Sequence, residues 1–290
     1  MSTLFAEIEG INTAALADMT EVKSGGGARR ILPAGTAIVR LSSYIELGKH
    51  VQTFNGQPKP PALQFKLGFH IVGGGGTNEK GEGEPYVLEE GNFPQISTFD
   101  TAMSQHEKSK AVKLFKALNS VGNTATHFVQ KVSEQCLYQL QVKVIKKGDK
   151  TYNDFNFVDM SAAINPVTYK AYGDNDMPKL EDKHIQVFLW SQPSPAQWAS
   201  IHIEGEWDAQ VDKKTGEQIK PARSKNFLQE KCLTAIDFEG SPLQVMLGEL
   251  GSGYSIPELS TEPEVVQEAP QEAPAEGSVS APDLDEDDII

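Results

Sequence analysis

Lysines and aromatic rings lie close together in the segment 137–158. Four lysines surround its Gly-Asp turn: Lys143, Lys146, Lys147 and Lys150. Ammonium groups neutralise phosphates and flat rings stack on bases, so this combination is typical of nucleic-acid binding. Tyr152 follows these lysines and is the ring that we expect to stack. Phe155 and Phe157 alternate with polar residues, so we predict that they pack in the core.

A second aromatic group lies in the segment 165–175, where Tyr169 and Tyr172 flank Lys170. The stretch is rich in turn-forming residues, which places the rings on a loop. Each base stacked on a ring contributes ~1–3 kcal/mol, so a few rings and several lysines give affinity without sequence preference. Packing of the tyrosines onto the loop itself explains the pattern equally well. Two cations on predicted strands complete the predicted binding residues: Arg40 and Lys66.

The motifs of catalytic, metal and cofactor sites are missing. The glycine run 73–76 lacks the ending of a P-loop and the spacing of a dinucleotide site, and we predict a flexible loop there. The histidines are scattered, and Cys136 and Cys232 match no zinc spacing. Glu181 and Asp182 are adjacent, as in a nuclease acidic cluster, but no predicted strand supports them. The sequence therefore predicts no metal, no cofactor and no enzymatic activity.

Charge is distributed unevenly along the chain. The formal net charge is −14, but residues 255–290 contain 11 acids and no Lys, Arg or His, which leaves 29 acids and 26 bases elsewhere. This end is rich in Pro, Glu, Ala and Gln, and it buries too little apolar surface to offset ~1–2 kcal/mol of ordering entropy per residue. We therefore predict a folded domain, residues 1–254, and a disordered acidic tail, residues 255–290. A role in solubility alone is the alternative for the tail.

Three features of the sequence bear on the cellular compartment. No apolar run approaches the length of a membrane span, and the first residues lack a secretion signal. Two cysteines are too few for a disulfide framework. We expect reduced thiols, no membrane partner and a cytoplasmic location.

Residues 1–254 are predicted to be mainly β with a few helices. Strands are predicted for seven segments: 37–45, 63–71, 137–145, 151–158, 185–190, 201–207 and 228–238, the last closing the sheet. Helices are predicted for three: 104–118, 126–135 and 241–250. Short strands with interspersed helices and long loops suit a partly open antiparallel barrel with insertions, like the oligonucleotide-binding (OB) fold. A β-sandwich fits the same pattern.

The end of the sequence carries a resemblance to a known family. Its tip combines clustered acids with two terminal apolar residues: Asp285, Glu286, Asp287, Asp288, Ile289 and Ile290. This tip resembles the acidic C-terminus of single-stranded DNA-binding proteins from bacteria and their phages. Over its whole length the chain resembles phage replication-type members with an OB-fold core. Family tips end in Pro-Phe or Phe, whereas this one ends in Ile-Ile, which preserves docking by hydrophobic insertion.

The resemblance implies sequence-independent binding and protection of single-stranded DNA in replication, recombination or repair. It implies a tail that recruits polymerase, helicase-primase or nuclease and that competes with DNA for a basic groove. A phage-encoded protein of this kind would act in the host cytoplasm. Three alternatives remain: a strand-annealing recombination factor, an acidic interaction protein that binds no DNA, and a metal-dependent nuclease using Glu181 and Asp182.

Overall fold

The computed structural model describes residues 30–251, with gaps at 55–56, 149, 174 and 212–217. The predicted acidic tail and its tip lie outside the described residues. No described helix has the length and apolar composition needed to cross a membrane.

Two long antiparallel strands form the centre of the fold. β1 (Ala34–Phe54) and β2 (Gln57–Thr77) have 21 residues each. The proline-rich residues 57–61, which lie between the two shorter predicted strands, form the first part of β2. β1 changes register against β2 at four places, and these irregularities bend the pair.

The remaining strands are short or lie at the edge of the sheet. They are β3 (Gly83–Pro85), β4 (Gln95–Ser97), β5 (Thr101–Ala102), β6 (Leu137–Lys147), β7 (Lys150–Phe155), β8 (Ser161–Ala162), β9 (Gln186–Phe188), β10 (Glu206–Trp207), β11 (Gln210–Val211), β12 (Gln218–Lys220) and β13 (Arg223–Ser224). The helices are α1 (Lys110–Asn119), α2 (Phe128–Glu134), α3 (Pro195–Ser200), α4 (Phe227–Leu233) and α5 (Pro242–Glu249).

The main sheet has the strand order β3-β2-β1-β6-β7. β4 and β5 pair with β2, β8 pairs with β6, and β9 pairs with β1 as the parallel exception. Among the described residues no pairing joins β3 to β7, so the sheet is open and the barrel is not closed. The prediction of a mainly β fold with a few helices is confirmed at this level.

One face of the sheet carries the largest apolar core. Phe65, Leu67 and Phe69 alternate along β2 and are fully buried, as the period-2 pattern predicts. Leu114 of α1 and Phe128 of α2 pack against them. Helix α1 begins at Lys110, six residues after the predicted start at 104. We call this side of the sheet the inner face.

The outer face is covered at the far end of β1 by a helical layer. Ile45 packs there with Trp198 of α3 and Cys232 of α4. The prediction of a strand at 228–238 is wrong, because Leu228, Cys232 and Ala235 are buried at i, i+4 and i+7, the spacing of a helix face.

The glycine run 73–76 belongs to β2, so the prediction of a flexible loop is wrong. A Cβ atom on Gly75 would lie 2.7 Å from the carbonyl oxygen of Glu84, and one on Gly76 would lie 2.4 Å from that of Ala34. Glycine is required here because neighbouring strands approach too closely for any side chain. The run is a packing feature of the sheet.

Candidate nucleic-acid interface

The predicted hairpin forms from β6 and β7, with Lys147 paired to Lys150 across the turn. Strand alternation puts Lys143, Lys147, Lys150 and Tyr152 on the outer face, and we call these four residues the basic hairpin face. Their three lysines are exposed and the tyrosine is half-buried.

The opposite side of the hairpin enters the core at its base. Leu140 and Val142 are buried there, with 2% exposure each. Phe157 is also buried and stacks on Phe69, with 5.3 Å between ring centroids, which confirms its predicted place in the core. Val144, further along the same side, is 36% exposed, because the hairpin extends beyond the core.

The described residues on this side of the hairpin carry a net positive charge, with three lysines and one acid, Asp154. Among the described residues no carboxylate lies within salt-bridge distance of Lys143, Lys147 or Lys150, although Asp154 stands opposite Lys143 in the ladder. Lys147 and Lys150 are direct cross-strand neighbours, an arrangement that destabilises a hairpin unless an anion lies between them. Lys146 alternates to the other side and forms an ion pair with Glu79 at 3.4 Å. The structure therefore brings three of the four predicted hairpin lysines together.

The surface continues from the hairpin onto β1. The side-chain amide of Gln141 donates a hydrogen bond to the Thr36 hydroxyl at 3.0 Å, and both residues lie on the outer face. The next strand contributes Gly75 opposite Thr36, and glycine adds no side chain. Gln141, Thr36 and Gly75 therefore form a flat, polar strip of sheet beside the lysines.

Tyr169 lies at the tip of an ordered loop. Asn165 shapes this loop, since its side-chain oxygen accepts hydrogen bonds from the backbone N–H groups of Val167 at 2.9 Å and Thr168 at 3.1 Å. Tyr169 has a φ of 57°, which is unfavourable for a residue with a side chain, and it is 84% exposed. A strained backbone that holds an aromatic ring in solvent is a frequent property of binding loops.

The two predicted loop tyrosines differ in position. Tyr172 is half-buried against the small apolar cluster that contains Ile38 and Leu180, whereas Tyr169 is free of such packing. Lys170 is exposed between them. The stacking interpretation therefore suits Tyr169, and the packing interpretation suits Tyr172.

Gln139 attaches the start of this loop to the hairpin. Its side-chain oxygen accepts a hydrogen bond from the N–H of Ile164 at 3.1 Å, and its amide donates to the Ser161 hydroxyl at 3.2 Å. Gln139 precedes Lys143 by four positions, or ~13 Å of strand. The loop and the basic hairpin face are therefore neighbours on one side of the sheet.

Arg40 is not part of this surface, and its prediction as a nucleic-acid contact is wrong. Its side chain is fully buried, and its guanidinium donates hydrogen bonds to the carbonyl oxygens of Gln135, Met177 and Pro178. The segment containing Met177 crosses the outer face above it. Arg40 anchors that segment.

Lys66 lies apart from the hairpin. Its ammonium is 3.3 Å from Asp100 and 5.8 Å from the centroid of the Phe227 ring. Trp207 lies next to Phe227 and is 49% exposed. The predicted lysines therefore lie in separate parts of the surface. Lys66 lies beside Phe227 and Trp207, an aromatic pair that the sequence did not indicate.

The acidic pair that resembled a nuclease cluster lies on an exposed turn, where Glu181 forms an ion pair with Lys183 at 2.8 Å. Across the described parts of the chain, no group of three or more His, Cys, Asp or Glu side chains is arranged to hold a metal ion.

No family model, no curated protein and no solved structure matches this chain.

Proposed function

We propose that this protein binds single-stranded DNA without sequence preference, and that it protects the strand during replication or recombination without catalysing a reaction. The basic hairpin face carries the proposal: three lysines, with no carboxylate within salt-bridge distance among the described residues, surround a half-buried tyrosine on an open strip of sheet. Cations along a groove with rings for the bases are the elements of such binding.

A single strand suits this surface better than a duplex. Tyr169 presents its ring at the tip of a loop, and only an unstacked base offers its flat face to such a ring. Gln141 and Thr36 supply hydrogen-bonding groups to any base or sugar that crosses the strip.

We propose further that the open sheet is a variant of the OB fold. The support is the bent β1, which changes register four times and pairs with β2, β6 and β9. Strands of small barrels bend at such irregularities. In OB folds a strand face and its adjoining loops bind oligonucleotides, as proposed here for the hairpin and the Tyr169 loop.

The acidic tail is proposed to have two roles. Residues 285–288 supply four adjacent carboxylates, which can occupy the basic hairpin face when DNA is absent. When DNA displaces them, Ile289 and Ile290 become available to an apolar pocket on a polymerase, helicase-primase or nuclease. Burial of each isoleucine contributes ~1.5–3 kcal/mol if it is complete.

The proposal is tested by fluorescence anisotropy of labelled oligo-dT over a range of salt concentrations. The variant Lys143→Ala/Lys147→Ala/Lys150→Ala is compared with Lys108→Ala/Lys113→Ala/Lys116→Ala, which removes the same charge from exposed lysines on or beside α1. Loss of three phosphate contacts makes the negative slope of log K against log salt less steep by ~2 for a single strand. Only the hairpin variant is expected to show this change.

Two results would contradict the proposal. Equal weakening by both triple variants would show that net charge, not the hairpin, determines binding. Absence of oligo-dT binding at low salt, even after removal of residues 282–290, would assign the chain to the class of acidic interaction proteins.

A further inference from the structure

The outer edge of the helical layer carries a pair of exposed aromatic rings. Trp207 is 49% exposed and Phe227 is 41% exposed. Their ring centroids are 6.5 Å apart and their planes differ by 25°, so the rings lie roughly parallel. Large rings at the surface normally pack on apolar neighbours, and two adjacent, partly exposed rings are typical of a binding surface.

Two lysines lie beside the pair. Lys66 lies over the Phe227 ring at 5.8 Å, and it shares Asp100 with Lys231, at 3.3 Å and 3.9 Å respectively. One carboxylate therefore serves two ammonium groups.

The short ribbon that holds Trp207 separates basic from acidic side chains. In the pairing of β10 with β13, Trp207 stands opposite Arg223 and Glu206 stands opposite Ser224. Alternation along the strand places Trp207 and Arg223 on one side and Glu206 on the other. The aromatic ring is thus accompanied by a guanidinium group, as in surfaces that bind nucleic acid through stacking and charge.

We propose that Trp207, Phe227 and Lys66 form a second base-stacking surface for single-stranded DNA. This inference rests on the proposed function. Lys66 pairs with Ile45 of β1, and Thr36 next to the basic hairpin face lies nine residues earlier on the same bent strand, or at most ~30 Å away. At ~3.4 Å per stacked nucleotide, this distance is spanned by about nine nucleotides, so one strand of 30 nucleotides is long enough to reach both surfaces.

Trp207 provides its own optical signal. The other two tryptophans, Trp190 and Trp198, are buried, with 7% and 1% exposure. Stacking of a base on an indole quenches its fluorescence, and Trp207 is the tryptophan accessible to bases. Titration of the full chain with a dT 30-mer is therefore expected to quench part of the emission, and Trp207→Phe is expected to remove this response while keeping a ring for stacking.

Affinity for the dT 30-mer is measured in parallel by anisotropy. Trp207→Ala and Phe227→Ala are each expected to weaken binding about 5- to 150-fold, the fold-change that corresponds to ~1–3 kcal/mol for one stacked base. Trp207→Phe is expected to retain most of the affinity. Leu88→Ala, at an apolar residue with 66% exposure, is the matched control, and thermal melting checks that each variant folds.

The outcomes separate this inference from the proposed function. If the wild type binds the 30-mer but both alanine variants bind equally well and the tryptophan emission does not change, the second surface is refuted and the hairpin proposal stands. If the wild type binds no oligo-dT at low salt, with or without residues 282–290, both are refuted.

Discussion

Tyr169 combines a strained backbone with an exposed ring, two properties that oppose stability. Its φ of 57° is unfavourable for any residue with a Cβ atom, and its ring makes little use of the protein interior. Because neither property stabilises the fold, the residue is best understood through what the ring can bind. Substitution of Tyr169 by glycine or by alanine separates the effect of the ring from the effect of the backbone strain.

Both Tyr169→Gly and Tyr169→Ala are expected to weaken oligo-dT binding to the same extent, by ~1–3 kcal/mol, since both remove the ring. The glycine variant is expected to be more stable than the alanine variant by ~1 kcal/mol, because glycine adopts positive φ without strain. Anisotropy measures the first quantity and chemical denaturation the second. Unequal affinities would show that loop conformation, not the ring, controls binding.

His70 shows how the covered part of the outer face depends on pH. Burial, together with the nearby His184, lowers the pKa of His70 from 6.5 to about 4. Its ring contacts the His184 ring in a T-shaped arrangement, with 5.1 Å between centroids. Its Nδ1 has no hydrogen-bond partner among the described residues. Protonation would place an unpaired charge in this packed site.

The sign of the pH effect follows from the lowered pKa. Between pH 6.5 and 4 the unfolded chain takes up a proton that the folded chain excludes, so stability is complete above pH 6.5 and falls as the pH decreases towards 4. The loss is at most ~3 kcal/mol. His70→Phe is expected to flatten this part of the stability curve in denaturation experiments between pH 4 and 7. His202→Gln, at an exposed histidine, is expected to keep it.

At the scale of elements, the close contact of β1, β2 and β3 positions the strip beside the basic hairpin face. A Cβ atom on Gly35 would lie 2.3 Å from the carbonyl oxygen of Gly75 and 2.8 Å from the Tyr86 hydroxyl. That hydroxyl donates a hydrogen bond to the carbonyl oxygen of Pro33 at 2.8 Å. A side chain at this position must therefore displace backbone and break a buried contact.

Gly35→Ala is expected to lower the free energy of unfolding by ~1–3 kcal/mol, the range of overpacked sites. Gly83→Ala is the matched control, because nothing lies within 4 Å of a Cβ atom there and the residue belongs to β3 itself. Urea denaturation of both variants measures the difference. If Gly35→Ala were as stable as Gly83→Ala, the close strand contact would have no energetic role.

The elements that could be predicted from sequence are those with local signals. Hairpin β6–β7 combines alternating residues with a Gly-Asp turn. Helix α5 is preceded by the capping residue Ser241, whose side chain accepts a hydrogen bond from the N–H of Gln244. Helix α4 was mistaken for a strand because short apolar segments fit either period, and only packing against β1 and α3 decides between them.

The parts of the candidate site that were missed depend on distant residues. Arg40 is buried by carbonyl groups 95 and 138 positions further along the chain, which no local pattern indicates. Trp207 is exposed because it lies on a two-residue strand that pairs with β13 at the surface. The contact of its neighbour Phe227 with Lys66, 161 positions earlier in the chain, arises from tertiary packing alone.

At the scale of the whole molecule, the separation of charge between the two parts of the sequence becomes important. Residues 1–254 carry 29 acids and 26 bases, and residues 255–290 carry 11 acids and no bases. A near-neutral domain binds a polyanion only through local basic surfaces, and an attached acidic segment is present at high effective concentration near them. The proposed competition between this segment and DNA would then lower the apparent affinity.

Deletion of residues 282–290 is therefore expected to raise oligo-dT affinity, most strongly at low salt. The Debye length is ~30 Å at 0.01 M salt and ~8 Å at 0.15 M, so the difference between deleted and full-length chains should shrink as salt is added. Ile289→Ala/Ile290→Ala keeps every carboxylate and is expected to leave DNA affinity unchanged while weakening the capture of a replication partner. If the deletion leaves affinity unchanged at low salt, the acidic end does not compete with DNA, and recruitment is the role left for it. If instead the isoleucine variant raises affinity as much as the deletion does, the contact between the acidic end and the domain is apolar, and the basic hairpin face is not where that end binds.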